Sequence, residues 1–483
     1  MAVETKLPSA AAVSPREFLR LIRRSLAGRR RPPQDEINAL VLGWLRHHPS
    51  ADASKLLPKL TADLARFKSV QSAWNLLSFL EVALKQRRPQ IGIYDHAFHF
   101  IGGAQKYGAT IAQTLQDEFE ITLIANKPVD MKDLEAWYGL DLSRCRVKIL
   151  PLPFFEEKGR HPQIIDPGQV DTSGENPFHA VSRESGSYDI FVNNGMLEMV
   201  YPAANTSLFI CHFPERERSR FFYVGRYTEI VHNSLYTARW IEKRWGLKPS
   251  KHIYPPVDME PATFPPEKDN VILSVSRFDI GGNKQQLDMI KVFQEMTKNE
   301  PRMAAGWKLV LVGGSPGENP YLERIHEHLR QTNASDIELK VNIRASEVKA
   351  AYGRAKLFWH FCGLGQTDPG KVEHFGMTVA EAMQNGCVPV VFRGGGQIEI
   401  VEEGTSGFLF SSPQELVHKT IGLLADPARL KEMSGRAHER GTAFRREVFA
   451  DTVRTYFRSI LETRFPRVDL PGNAQANPER RVV

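Results

Sequence analysis

The chain has 483 residues, 42% of them hydrophobic and 25% charged, with a formal net charge of +7. That length exceeds one ordinary core and predicts two or more domains, and the composition excludes collagen-like, mucin-like and wholly disordered chains. No apolar run approaches the ~20 residues that span a bilayer.

The start, MAVETKLPSAAAVSPREF, is too polar for a secretory leader. Cys145, Cys211, Cys362 and Cys387 are scattered without metal-type spacing, which predicts reduced thiols in a cytoplasmic protein. The positive charge is local. Residues 1–88 carry 16 Lys/Arg against 7 Asp/Glu, a balance of +9, so the remainder is −2. A nucleic-acid-binding catalytic face needs basic surface on the body of the protein, and that body lacks the excess.

Residues 1–88 read as a basic helical extension. Ser14-Pro15-Arg16-Glu17 is a helix start with a capping box. Phe18, Leu19, Ile22 and Leu26 share one face of the helix, opposite Arg16, Arg20, Arg23 and Arg24. Such a helix, with Arg29–Arg31 behind it, fits contact of residues 14–31 with an anionic membrane surface. The other reading, a helix that packs its stripe on its own protein with its arginines in water, is slightly ahead because the helix is short. Further helical patterns cover about 35–47, 52–67 and 69–86.

From residue 90 the rhythm changes. IGIYD (91–95), ITLIA (121–125), VKILPL (147–152), DIFVN (189–193) and SLFIC (207–211) are short apolar runs separated by helical or loop segments. A second series comprises VILSVS (271–276), KLVLVGG (308–314), IELKV (337–341), KLFWHF (356–361) and VPVVF (388–392). Each series predicts a parallel sheet with crossover helices. The Pro-rich connection around 254–268 separates them, giving a first α/β domain over 89–256 and a second over 257–446. A helix at 447–465 and a loose tail at 466–483 complete the chain. Residues 156–187 are polar and rich in Gly and Pro, which marks a surface insertion.

The residues with chemical content lie at strand ends. EHFGMTVAEAM places Glu373 before a tight turn and Glu381 two turns into the following helix. The free amides of Phe375, Gly376 and Met377 at that helix start can hold an anion. An isolated pair of this spacing is most often two solvated glutamates on an amphipathic helix; the Gly394-Gly395-Gly396 loop and the sequence EIV downstream shift the balance. SVSRFDIGGNKQQL supplies Arg277 at a strand end and Lys284 beyond a Gly-Gly turn, cations suited to a departing diphosphate. A lone Arg/Lys pair is usually surface charge. FHFIGGAQKY offers Gly102 and Gly103 for close backbone approach to a ligand, although a glycine pair alone can be only a turn. CHFPERE sets His212 after the SLFIC strand; a single histidine is most often structural.

Taken together, in order, these motifs resemble the signature of retaining GT4-type glycosyltransferases with the GT-B fold, over roughly residues 90–460. The resemblance implies two Rossmann-like domains facing across a cleft, with the 447–465 helix crossing back to the first. It implies that His212 contacts the donor sugar, that Arg277 and Lys284 meet its diphosphate, and that Glu373 binds sugar hydroxyls. Glu381 would bind the ribose, Gly102 and Gly103 would lie near the reacting sugar, and the nucleobase would lie near residues 342–346. No cofactor or essential metal is expected, because no Asp pair of the DxD kind sits at a suitable place. VHNSLYTARWIEKRWG and YPPVD look like mannosyltransferases that extend lipid-linked oligosaccharides. The implied donor is GDP-mannose first and a UDP-sugar next, with a glycan or lipid-linked acceptor and no nucleic acid. The alternatives are a non-catalytic carbohydrate- or nucleotide-binding relative and a GT-B sugar-nucleotide epimerase. An intact Arg277, Lys284, Glu373 and Glu381 set argues against the first, and the E-x7-E placement against the second.

Overall fold

The structure is a computed structural model. It describes residues 87–464 except 153–172, 216, 217, 219, 259–266 and 316; before 87 it describes 17–20, 22, 23, 39, 41, 43, 44, 77 and 80–82. The helix start at Ser14, the helical patterns within 52–67, most of the 156–187 insertion and the 466–483 tail lie outside the described residues.

Two parallel sheets organise the body. The first takes β1 (Gln90–Tyr94), β2 (Glu120–Ala125), β3 (Arg146–Ile149), β4 (Ile190–Asn193), β5 (Thr206–Cys211), β6 (Glu229–His232) and β7 (Lys251–His252), in the order 3-2-1-4-5-6-7. The second takes β8 (Asp269–Val275), β9 (Lys308–Gly313), β10 (Ile337–Val341), β11 (Ala355–His360), β12 (Val388–Phe392) and β13 (Phe408–Phe410), in the order 10-9-8-11-12-13. Most of these strands are buried along most of their length, as a parallel sheet covered by helices on both faces requires. In each sheet the order reverses beside the first strand, β1/β4 and β8/β11. The crevice outside the carboxyl ends of strands at such a reversal is where open α/β sheets bind ligands.

Helices that bear on the crevice follow these strands. They are α1 (Gly103–Leu115) after β1, α2 (Met131–Tyr138) after β2 and α3 (His179–Ser185) before β4. After β6 comes α4 (Leu235–Trp240), which runs on into a π-helical turn at Ile241–Trp245. In the second half α5 (Gln286–Asn299), α6 (Pro320–Thr332) and α7 (Ala345–Arg354) precede α8 (Met377–Gln384), α9 (Gln397–Ile400), α10 (Pro413–Leu424) and α11 (Pro427–Gly441). The long α12 (Arg446–Arg464) then leaves the second half and packs on the first. Tyr107 of α1 meets Phe449 edge-on at 5.0 Å, Phe119 meets Phe457 at 6.1 Å, and Arg458 pairs with Glu118 at 2.8 Å.

Phe18, Leu19 and Ile22 are 2%, 5% and 2% exposed within the core of the first half, and Phe18 stacks on Trp44 at 4.6 Å. The described part of the apolar stripe, these three residues, is therefore buried in its own protein. Arg20 and Arg23 face outward, and Arg23 pairs with Glu81.

The two halves touch through specific contacts beside the crevice. Ser234 Oγ donates to the His374 carbonyl at 2.6 Å, and Phe213 stacks on the His374 ring at 3.9 Å between centroids. Glu399 accepts from the backbone N–H groups of Leu235 and Tyr236, both at 2.8 Å, and so caps α4 from the opposite domain. Charge-assisted bonds to helix-start amides are stronger than neutral ones. Glu399→Ala is expected to lower stability by about 1–2 kcal/mol, measured by urea unfolding; an unchanged midpoint would show that the contact does not hold the domains together.

Candidate active site

The centre of the crevice is a lysine–glutamate pair. Lys284 precedes α5, and its Nζ lies 2.6 Å from Glu373 Oε2. The two side chains are 21% and 20% exposed. His360, at the end of β11, brings Nε2 to 2.9 Å from the same oxygen. Burial alone would raise the Glu373 carboxyl, but the Lys284 charge and the His360 hydrogen bond prevail and hold it well below the usual carboxylate range. Lys284 is shifted in the complementary sense: burial lowers it, and Glu373 more than offsets that and raises it. The carboxylate is thus ionised at neutral pH, against an ammonium that stays charged.

The backbone around Glu373 is set by glycines. Gly376, at φ +110°, caps α8 without a side-chain hydrogen bond. Gly395 has φ +63°, and a Cβ there would meet the Glu373 carbonyl oxygen at 2.0 Å. A Cβ on Gly396 would meet the His374 carbonyl oxygen at 2.4 Å, and its N–H donates to the Glu373 carbonyl at 2.8 Å. The triple-glycine loop therefore grips the Glu373–His374 backbone directly. Phe375 does not point outward; it is 3% exposed and packs with Tyr254 and Phe444. Its backbone remains at the turn.

Across the crevice, the glycine loop of the first half opens α1. A Cβ built on Gly103 would lie 2.9 Å from Met377 Sδ, so the starts of α1 and α8 face each other closely. Tyr138 OH clamps Gly102 through both its N–H and its carbonyl, each at 2.7 Å. Asp95 orders the rest of the loop, accepting from Ala97 N at 2.8 Å, Gln105 Nε2 at 3.1 Å and Asn194 Nδ2 at 2.7 Å.

His212 follows β5 and sits edge-on to Tyr107 at 5.3 Å. Burial pushes its imidazole down to about 4, helped by His374 nearby, so the ring is neutral at pH 7. Its Nε2 has no hydrogen-bond partner among the described residues. Met196, at φ +54°, turns its sulfur to the N–H groups of His212 and Phe213 at 3.0 and 3.3 Å. A bulky side chain in the left-handed region is strained, and here that residue fixes the His212 loop.

Arg277 and Glu381 complete the set named from the sequence. Arg277 is exposed just past β8 and near enough to Lys284 to lower its pKa by repulsion. Glu381 is 8% exposed on α8 and accepts from Tyr352 OH at 2.8 Å. Burial raises its carboxyl, offset in part by Lys106 of α1, so a charge on the first half reaches the second through this residue. The 342–346 loop begins with Asn342 at φ +54°, bonded by its side chain to Ser315. His360 and Asp95 lie in apolar runs read from the sequence but with no role assigned there, and Asn194 and Met196 lie outside the runs.

His360, Cys362 and Glu373 offer three metal-type ligand atoms within 4.8 Å of one another. Lys284 Nζ sits among them, 2.6 Å from Glu373 Oε2 and 3.5 Å from Cys362 Sγ. Burial pushes the Cys362 thiol up to about 12. A protonated thiol and an ammonium make a poor cation site, since a metal needs deprotonated ligands and would be repelled by the lysine.

Comparison with known proteins bears on the same region. Residues 258–440 match the family model for glycosyl transferases group 1. A GDP-Man:Man(3)GlcNAc(2)-PP-Dol alpha-1,2-mannosyltransferase of Dictyostelium discoideum is 25% identical over 253 residues, 49% of this chain and 48% of that protein. A trehalose synthase of Pyrococcus horikoshii is 32% identical over 181 residues, 36% of this chain and 40% of that protein. The chain thus spans about half or less of the length of these curated relatives. Among solved structures, Anabaena HepE in complex with UDP and glucose superposes with a TM-score of 0.57 at 18% identity, covering 77% of this chain and all of that one. Sucrose-phosphate synthase of Thermosynechococcus elongatus gives 0.58 at 17% identity, covering 78% and all of it. The chain has the GT-B fold, and its second half carries the glycosyl transferases group 1 match.

Proposed function

We propose that this chain is a retaining glycosyltransferase of the GT4 type that moves a hexose from a nucleotide-sugar donor to a glycan or lipid-linked acceptor. The observation that carries this reading is the Lys284–Glu373 pair at the uncapped start of α8, facing the α1 glycine loop. A diphosphate entering there meets Lys284, Arg277 and the free amides of α8. Such preorganised charge is worth most where water is excluded and negative charge develops on the leaving group. Glu373 is ionised and can accept from sugar hydroxyls. Glu381 keeps one oxygen beyond its Tyr352 bond for the ribose. His212, neutral and with Nε2 unpartnered among the described residues, can take a hydrogen bond from the sugar near its reactive carbon.

In this mechanism the acceptor attacks from the face the diphosphate leaves, and a leaving phosphate oxygen takes the acceptor's proton. No side chain forms a bond to the sugar. Lys284 supplies the charge that a divalent metal supplies elsewhere, so no metal is needed. Transfer is expected to persist within about twofold after EDTA treatment. A loss that Mg²⁺ or Mn²⁺ restores would contradict the cation assignment.

GDP-mannose is the first donor to try, supported by the mannosyltransferase relative, and a UDP-sugar is next, supported by the UDP-bound neighbour. Contact with an anionic membrane surface, if it brings a lipid-linked acceptor near, falls to the arginine face around Arg20, because the described part of the apolar stripe is buried. Among the described residues no helix is long and apolar enough to cross a membrane. The reading is tested by thermal shift against GDP-mannose, UDP-glucose, UDP-GlcNAc, GDP and UDP, with Glu381→Ala alongside. A nucleotide-selective rise, reduced in the variant, supports it. No rise with any of the five would favour a relative that has lost its donor.

A further inference from the structure

His360 has a feature that packing does not explain. Its ring is 1% exposed and stacks on Phe358, two residues back on the same face of β11, at 6.2 Å. Nδ1 is buried with no hydrogen-bond partner among the described residues. A buried polar atom left unpaired costs about 1–3 kcal/mol. Phenylalanine, which stands at 358 and 361, would fill the same place without that cost. What the imidazole adds is the 2.9 Å bond from Nε2 to Glu373 Oε2. An ionised carboxylate only accepts, so Nε2 carries the proton and the tautomer follows.

Lys284 and His360 both reach Oε2 of Glu373. Two donors on one oxygen restrain rotation of the carboxylate, and neither of them takes the other oxygen, Oε1. When a diphosphate draws Lys284 toward itself, the His360 bond remains to hold that orientation. We propose that His360 is a positioning residue, which anchors Glu373 by Oε2 so that Oε1 is presented to a hydroxyl of the transferred sugar. This rests on the nucleotide-sugar reading of the cleft and extends it to a residue with no role assigned from the sequence.

The role predicts which part of the donor is affected. Free GDP or UDP does not reach Glu373 through a sugar, so its binding is indifferent to His360, while binding of the intact donor is not. The experiment is titration calorimetry of GDP against GDP-mannose and UDP against UDP-glucose, on wild type, His360→Asn and His360→Gln. Glutamine can place its Nε2 where the imidazole Nε2 lies; asparagine is polar but too short. The preference for sugar-bearing over free nucleotide is expected to fall about tenfold in His360→Asn and to be largely kept in His360→Gln. Free nucleotide binding should stay within about twofold in both, and the kinetic loss should fall on the donor KM more than on kcat. Two soluble variants with the wild-type preference, or an equal loss for free and sugar-bearing nucleotide, would overturn the role. A wild type that binds none of the four ligands overturns the nucleotide-sugar reading itself, which separates the two failures.

Discussion

Lys284→Met is expected to lower transfer by about 10²–10³-fold, the range for removing one preorganised group that stabilises developing negative charge. The loss should fall mainly on kcat, because the diphosphate gains charge as the sugar departs. The same change leaves Glu373 largely buried with the His360 hydrogen bond and the neighbouring Cys362 thiol for support. Removing one partner of a buried ion pair costs up to about 3–5 kcal/mol, and the one-fifth exposure of both side chains puts the expected loss at the lower end. Urea unfolding at pH 7 reads this directly.

The pH dependence has a defined sign. Glu373 is held below its unfolded value, so the pair's contribution is complete above the ordinary carboxylate range and is lost as pH falls through the folded value. Wild type and Lys284→Met should therefore converge in stability on acidification below about pH 4. A gap that stays constant from pH 7 to pH 3 would argue that the lysine acts by packing alone.

Gly395→Ala carries the second large effect. The added methyl would stand 2.0 Å from the Glu373 carbonyl oxygen and 2.8 Å from Val372, on a backbone at φ +63°. Both the positive φ and the backbone clash oppose it, and backbone cannot swing aside as a side-chain tip can. The Glu373 loop must move by an ångström or more, and displacement on that scale at a reacting centre costs about 10²-fold in rate. Stability is expected to fall by about 2–4 kcal/mol. Gly394→Ala is the control. The atoms nearest its methyl would be those of the Phe392 ring, from 2.5 Å, and a side chain can rearrange. Equal activity of Gly395→Ala and wild type would mean that this loop does not set the position of Glu373.

The sequence made the sheets legible because parallel strands buried on both faces read as continuous apolar runs. VPVVF coincides with the buried β12, while IELKV coincides with β10, an edge strand that is mostly not buried and whose residues alternate. The elements it passed over are β6, β7 and β13, which are four, two and three residues long. Runs that short have no period to detect, and their pairing is decided by partners distant in sequence. The glycine loop at 394–396 is plain in the sequence, but its spacing cannot reveal that its contact is the Glu373 backbone.

The site divides along the same line. Glu373, Lys284 and His212 stand in motifs, and the structure brings Glu373 and Lys284 together at 2.6 Å. His360 acts through a hydrogen bond to Glu373, 13 positions away, and Asp95 through several, one of them from Asn194, 99 positions away. No local pattern encodes such pairs. Glu381 shows the converse: its place in the motif is plain, but its bond to Tyr352 and its coupling to Lys106 follow only from the folded chain.

We propose that the sugar is transferred with its anomeric configuration kept. The measurement that tests it most directly is proton NMR of the first product formed from GDP-mannose or UDP-glucose, both α-linked, read before mutarotation or by the coupling constant of a stable glycoside. An α-configured product, absent in Lys284→Met and Glu373→Gln, is the predicted result. A β-configured product would contradict the account, because same-face attack at this cleft cannot yield it.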